Sequence, residues 1–163
     1  MAEGVFRHAV EARGCDIEVA STGTWAYQGN PATSEAIEVL RSRGIDLSRH
    51  RSRTLDVEEL ADADVIVAMT SVHRREILEL APEVEGKLIL MKELVELAIE
   101  GELPDGSEAR LARLLGAPRP EWRRALDLDD PIGKPIGAYE RTVAQIELGV
   151  EVLANALCGP PAG

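Results

Sequence analysis

Aromatic residues and long apolar runs are scarce in this chain of 163 residues. Phe, Trp and Tyr make up only 3% of it, so a core has to be built from aliphatic side chains. No apolar run approaches the ~18 residues that a membrane span requires. The N-terminal segment from Met1 to Arg7 lacks the basic and then apolar pattern of a secretory signal. These absences predict a cytoplasmic protein that does not enter a membrane.

Basic residues are also in deficit, with 18 Lys and Arg against 29 Asp and Glu and a net charge of −11. Nucleic acids and anionic membranes favour a basic face, so neither is expected as the main partner. The composition, 45% hydrophobic and 29% charged, is that of a folded domain. The length predicts one domain over residues 1–158, with a frayed tail at 159–163.

The sequence contains only two cysteines, Cys15 and Cys158. They fit no zinc-ligand spacing and no C-x-x-C pair, and two in a chain of this length do not indicate a disulfide framework. A reducing compartment is therefore expected. Packing explains most free cysteines, so Cys15 is predicted to be an unreactive, partly buried thiol.

Helical and strand-like patterns alternate along the chain, which predicts an α/β domain with a parallel sheet. The first predicted element is a helix that no strand precedes. In doubly wound folds the ligand-binding loop joins a strand to the helix that follows it, and here both would lie before residue 1. Periodicity weakens at about 100–120, which predicts an insertion. Strands are predicted at 16–21, 65–69 and 87–91, and the main helices at 2–13, 33–43 and 137–157.

Five motifs follow one another along the chain: M-A-E-G-V-F at 1–6, V-A-S-T-G-T at 19–24, G-I-D-L-S-R-H-R-S-R at 44–53, the run ending A-M-T at 64–70, and D-P at 130–131. In this order and spacing they resemble the low-molecular-weight protein phosphatase family. The A-M-T-x-x-H and D-P-I-G-K-P stretches lean towards its bacterial branch of protein-arginine phosphatases and arsenate-reductase-like members.

The resemblance implies a three-layer fold, a parallel sheet with helices on both faces. The family's first strand and its C-x5-R phosphate-binding loop are expected to be absent from this chain, which would make it an N-terminally truncated form. The family's reaction is a two-step phosphoryl transfer through a cysteinyl-phosphate, without metal or cofactor. Its substrates are phosphorylated proteins, on tyrosine or arginine, or small phosphates and other oxyanions.

Neither cysteine fits the family nucleophile. The residue six positions after Cys15 is Ser21 instead of Arg, and only five residues follow Cys158. The chain as it stands is therefore predicted to be inactive. A non-catalytic phosphatase-like binding protein is the alternative. A small nucleotide-binding domain outside the family finds little support, because neither G-x-G-x-x-G nor G-x-x-x-x-G-K-[ST] appears.

The resemblance also assigns roles to four residues. Asp130 is the expected general acid and base, Trp25 an aromatic wall of the substrate cleft, and Ser21 and His50 supports of the phosphate loop. Simpler explanations stand beside these roles. An Asp before Pro opens turns, Trp25 could anchor its own loop, and His50 lies in a basic stretch.

Overall fold

The computed structural model describes residues 1–99, 106–116 and 126–160. Of the insertion predicted at about 100–120, residues 100–105 and 117–120 lie outside these ranges, and Ser107–Gly116 form a helix. Residues 161–163 of the predicted tail also lie outside. Within the tail, the Gly159 carbonyl accepts a hydrogen bond of 3.2 Å from Arg13 Nε.

The described residues form seven α-helices, one short 3₁₀ helix and two strands, and three helices come before the first strand. The elements are α1 Ala2–Glu11, α2 Ser34–Arg41, α3 Val57–Asp62, β1 Ile66–Ala68, α4 Ser71–Leu80, the 3₁₀ helix Pro82–Lys87, β2 Leu88–Leu90, α5 Met91–Ile99, α6 Ser107–Gly116 and α7 Ile136–Cys158.

Strands β1 and β2 pair in parallel, with Ile66 opposite Leu88 and Val67 opposite Ile89. Successive side chains of a strand point to opposite faces of the sheet. Ile66 and Leu88 pack with α3, α4 and the 3₁₀ helix. Val67 and Ile89 join a second cluster with α1, α2, α5 and α7. The α/β arrangement with helices on both faces is thereby confirmed.

The ends of the helices follow from local residue chemistry. Thr33 and Thr70 cap α2 and α4, each accepting a hydrogen bond of 3.2 Å from the N–H three residues later. Gly14 and Gly44 follow α1 and α2 with φ of +64° and +78°, the left-handed conformation that ends helices. These are the boundaries that the sequence predicts to within a few residues.

Helix α7 is the longest element, with 23 residues. Val143, Ile146, Val150 and Leu153 form its predicted apolar stripe and are all buried. None of the described helices, α7 included, is long and apolar enough to cross a membrane.

The strand predicted at 16–21 is wrong. This segment has no strand structure, and within the described residues the backbone of 16–22 makes no hydrogen bond to another backbone group. A strand exists only when it pairs with a neighbour, whatever its side-chain alternation. Here Arg7 Nη2 donates to the Val19 carbonyl (2.8 Å), and one isolated bridge joins Gly23 to Thr54.

The predicted free thiols are also wrong, because Cys15 and Cys158 form a disulfide. The pair is 143 residues apart in sequence, yet the two Cα atoms lie 5.8 Å apart. The packing of α1 on α7 brings them together. Arg13, just before Cys15, donates to Glu151 (2.6 Å) and Asn155 (2.9 Å) of α7. Sequence spacing does not reveal which helix ends meet.

Candidate functional site

The carboxylate of Glu3, in the first turn of α1, lies between Ser21 and His50. Ser21 Oγ donates to Glu3 Oε2 at 2.5 Å, and His50 Nδ1 lies 3.6 Å from the same oxygen. Arg7, one turn along α1, donates to Glu3 Oε1 at 2.8 Å. The structure thus brings the two predicted loop-supporting residues to one carboxylate.

Two opposing influences set the pKa of Glu3. Partial burial favours the neutral acid, but the Ser21 hydroxyl and the charges of His50 and Arg7 outweigh it and hold the pKa below its usual value. Burial lowers the pKa of His50, although the Glu3 carboxylate opposes that shift. At neutral pH Glu3 is therefore ionised and His50 is neutral.

The sequence predictions named Ser21 and His50 but did not single out Glu3. The signal was present, since Glu3 is the one acidic residue of the M-A-E-G-V-F motif and lies in the first turn of α1. The groove beside it, between α1 and the loop 44–53, has a volume of about 480 Å³. Arg7, His50 and Arg51 line it together with Glu3.

Asp130 is exposed on the loop that leads into α7. Its Oδ1 accepts the N–H of Ile132 at 3.0 Å, which folds the loop back on itself. The loop is fixed just before Asp130, because the Leu128 N–H donates to the Met69 carbonyl (2.9 Å) and Thr142 Oγ1 donates to the Asp129 carbonyl (3.1 Å). An exposed carboxyl on a fixed loop suits proton transfer to a bound molecule.

Trp25 lies in the loop between residues 22 and 30, and 84% of it is exposed. Backbone hydrogen bonds from Gly23 to Arg53 (2.9 Å) and from Gly29 to Ser52 (2.8 Å) hold this loop on the segment 51–54. The indole Nε1–H donates to Glu76 Oε1 of α4 at 2.8 Å.

The candidate residues fall into separate groups. Ser21 and His50 share Glu3, whereas Asp130 and Trp25 stand on two other loops. Within the ranges that the structure describes, no hydrogen bond or ion pair joins Asp130 or Trp25 to the Glu3 group. The same ranges contain no group of three or more His, Cys, Asp or Glu side chains that could hold a metal ion.

The sequence model of the family described as low molecular weight phosphotyrosine protein phosphatase matches residues 1–111. The chain is 28% identical to the probable low molecular weight protein-tyrosine-phosphatase EpsP of Ralstonia solanacearum, over 93% of this chain and 81% of that protein. It is 30% identical to a protein-arginine-phosphatase of Geobacillus stearothermophilus, over 86% of this chain and 77% of that one.

Solved structures agree with these relatives. A low molecular weight protein tyrosine phosphatase from T. tengcongensis superimposes with a TM-score of 0.74 at 32% identity, covering 96% of this chain and 88% of that one. A mutant of YwlE from Bacillus subtilis gives 0.72 at 27% identity, covering 94% and 86%.

Proposed function

The chain belongs to the low molecular weight phosphotyrosine protein phosphatase family, and from that premise we propose that it serves in dephosphorylating phosphotyrosine or phosphoarginine in proteins. The single observation that carries the proposal is Asp130, an exposed carboxyl on a loop that is fixed just ahead of it. Asp130 and Pro131 resemble the D-P loop from which the family resemblance implies that the general acid comes.

In the proposed reaction a cysteine thiolate attacks phosphorus and forms a cysteinyl-phosphate as the bond to the leaving group breaks. Asp130 gives its proton to the departing atom. It then accepts a proton from the water that attacks the cysteinyl-phosphate, which releases inorganic phosphate and restores the thiolate. Ser21 and His50, through their shared contact with Glu3, support the phosphate-binding loop.

The thiolate and the phosphate-binding arginine of this reaction are not provided by the 163 residues. The two cysteines of the sequence are bonded to each other, and neither begins a C-x5-R motif. We therefore expect the polypeptide alone to be inactive. We also propose that the reaction takes place in the cytoplasm, where disulfides are unusual. Activity should therefore be measured with the chain both oxidised and reduced.

Activity should appear when the missing groups are joined to the chain. The test uses a loop-bearing form, in which a strand and a C-x5-R loop of the kind that the family resemblance implies precede Met1. We expect the 163-residue chain to leave p-nitrophenyl phosphate intact and the loop-bearing form to hydrolyse it. In that form Asp130→Asn should lower kcat by about 100-fold or more, because the leaving group departs unprotonated. Steady-state kinetics measures both effects.

Asp129→Asn is the matched control, since Asp129 is also exposed and its contact to Thr142 uses only the backbone carbonyl. Its kcat should stay within about twofold, as for surface changes outside a site. Turnover that Asp130→Asn leaves unchanged would remove Asp130 from the mechanism. Comparing phosphotyrosine and phosphoarginine peptides then identifies the substrate, and reading the DNA upstream of the Met1 codon shows whether the encoded protein carries such a loop.

The second candidate function, a non-catalytic phosphatase-like binding protein, is favoured by one observation. Both cysteines are held in the disulfide, so the chain offers no free thiol. A folded loop-bearing form that binds phosphate but turns over neither p-nitrophenyl phosphate nor a phosphopeptide would support this alternative against the first.

A further inference from the structure

Helix α4 contacts both of the loops that carry Trp25 and Asp130. At its first residue, the Ser71 N–H donates to Asp127 Oδ1 at 2.6 Å, and Ser71 Oγ donates to Oδ2 at 3.1 Å. A carboxylate is stabilised at a helix N-terminus by the unpaired N–H groups there. Asp127 lies three residues before Asp130, so the loop that carries Asp130 is anchored to the start of α4.

Further along the same helix, Glu76 receives the indole N–H of Trp25. An indole has one hydrogen-bond donor, its N–H group. The Trp25 N–H donates to the Glu76 carboxylate at 2.8 Å, and the negative charge of the acceptor strengthens this hydrogen bond. The same contact is the main cause that holds the pKa of Glu76 below its usual value. The ring is 84% exposed, so packing restrains it little. The hydrogen bond to Glu76 therefore sets the direction in which the ring faces.

We propose that Glu76 is a positioning residue that holds the Trp25 ring as an aromatic wall for the leaving group of the substrate. This inference rests on the function proposed above. Two aromatic rings that stack with an offset or meet edge to face attract each other, and this attraction adds to the free energy gained by burying their surface. A ring held in one orientation favours substrates with an aromatic leaving group, and a ring that turns freely loses that preference.

Glu79 offers a matched control on the same helix. It forms an i, i+4 ion pair with Arg75 at 3.7 Å, and both side chains are largely exposed to solvent. Such surface pairs contribute little to stability. Glu79→Ala removes the same length of side chain and the same charge as Glu76→Ala, but leaves Trp25 untouched.

The first measurement needs no enzyme activity and uses the 163-residue chain. The sequence has two tryptophans, so a ¹H–¹⁵N spectrum carries two indole N–H signals, and Trp25→Phe identifies the one from Trp25. Glu76→Ala should move that signal and speed its exchange with water. Glu76→Gln should restore part of the wild-type position, because the amide oxygen still accepts a hydrogen bond. Glu79→Ala should leave both indole signals in place.

The second measurement uses the loop-bearing form. Glu76→Ala should raise KM for p-nitrophenyl phosphate by about 3- to 10-fold, the size of one lost aromatic contact. Its kcat should stay within twofold, and KM for acetyl phosphate, which has no ring, should be unchanged. Glu76→Gln should recover part of the loss, and Glu79→Ala should match the wild type.

The outcomes separate this inference from the function on which it rests. If the Trp25 signal moves in Glu76→Ala while KM for the aryl phosphate stays the same, Glu76 orients the ring but the ring is no wall, and the inference is wrong. A Trp25 signal that Glu76→Ala does not move is equally against it. If the loop-bearing form hydrolyses neither substrate, the proposed function fails first, and the substrate role of Glu76 fails with it.

Discussion

At the scale of single residues, Glu3 and His50 link the candidate site to pH. The folded chain holds the pKa of Glu3 below 4.5 and that of His50 below 6.5. In both cases the unfolded chain takes up protons at a higher pH than the folded chain does. Both shifts therefore make folding less favourable as the solution becomes more acidic.

The two groups act in different windows of pH. Stability from His50 is fully present above its unfolded pKa, near 6.5, and is lost as pH falls through its lower folded value. Stability from Glu3 is present above about 4.5 and is lost as pH falls through its own folded pKa. Urea unfolding at pH 7.5, 6 and 5 should give falling midpoints, and His50→Asn should flatten the fall below pH 6.5.

His8→Asn is the control for this experiment, since His8 is exposed on α1 and belongs to the same residue type. It should leave the pH dependence as in the wild type. An unchanged slope in His50→Asn would mean that burial of the imidazole does not lower its pKa. The Glu3→Gln variant should enlarge the His50 step, because the carboxylate that opposes the lowering of the His50 pKa is gone. In a further measurement at pH 4 it should lose the part of the fall below pH 4.5.

At the scale of secondary-structure elements, α5 and α7 are in close contact at Gly149. A Cβ built there would clash with Met91 Sδ and would lie 2.8 Å from the Met91 carbonyl oxygen. Such distances require the start of α5 to move, because the carbonyl belongs to the backbone. Packing therefore requires glycine at position 149, although the position lies inside a helix, where alanine is the better helix former.

Gly149→Ala should destabilise the protein by about 1–3 kcal/mol, the usual cost of overpacking a core. Helix propensity works in the opposite direction by about 1 kcal/mol, so a net loss shows that the clash dominates. Urea unfolding measures the difference. Gly137→Ala is the control, because the nearest atom to its added Cβ would be the flexible Arg141 Nη1 at 3.6 Å. That variant should be neutral or slightly more stable, and a stabilised Gly149→Ala would contradict the packing argument.

Elements whose formation is local could be predicted from the sequence. The caps at Thr33 and Thr70 and the glycines that end α1 and α2 depend on contacts within a few residues. The strand at 16–21 could not, because alternation describes side chains, whereas a strand is made by a neighbouring backbone. Strands β1 and β2 were predicted correctly because each is apolar on both faces and the two strands pair with each other.

The candidate site divides in the same way. Asp130, Trp25, Ser21 and His50 were named from motifs, and their surroundings came only from the fold. The Glu3 contact with Ser21 joins residues 18 apart, and the Glu76 contact with Trp25 joins residues 51 apart. Nothing in the spacing of one sequence selects these carboxylates from the other acidic residues. The contacts of Glu3 with Ser21 and of Glu76 with Trp25 are known only from the positions of α1 and α4 in the folded chain.

At the scale of the whole molecule, the disulfide joins the two ends of the described fold. Cys15 follows α1, Cys158 ends α7, and the loop that they close contains most of the chain. A crosslink stabilises mainly by restricting the unfolded chain, and more so for long loops. The same helix ends also share Arg13, which contacts Glu151, Asn155 and the Gly159 carbonyl. Non-covalent contacts therefore remain when the bond is broken, and the reduced chain should still fold.

Reduction should lower Tm without unfolding the protein at room temperature. Disulfides that close long loops stabilise by about 2–5 kcal/mol, and unfolding entropy is roughly 2.1 cal/mol/K per residue, so we expect Tm to fall by about 6–15 °C in excess dithiothreitol. Cys15→Ser/Cys158→Ser should melt at the reduced temperature in either condition. The wild-type Tm could instead be the same with and without dithiothreitol, with both thiols shown by titration to be free. That result would mean that the packing of α1 on α7 alone holds the ends together. That packing, centred on Arg13, would then be the contact on which the closed fold depends.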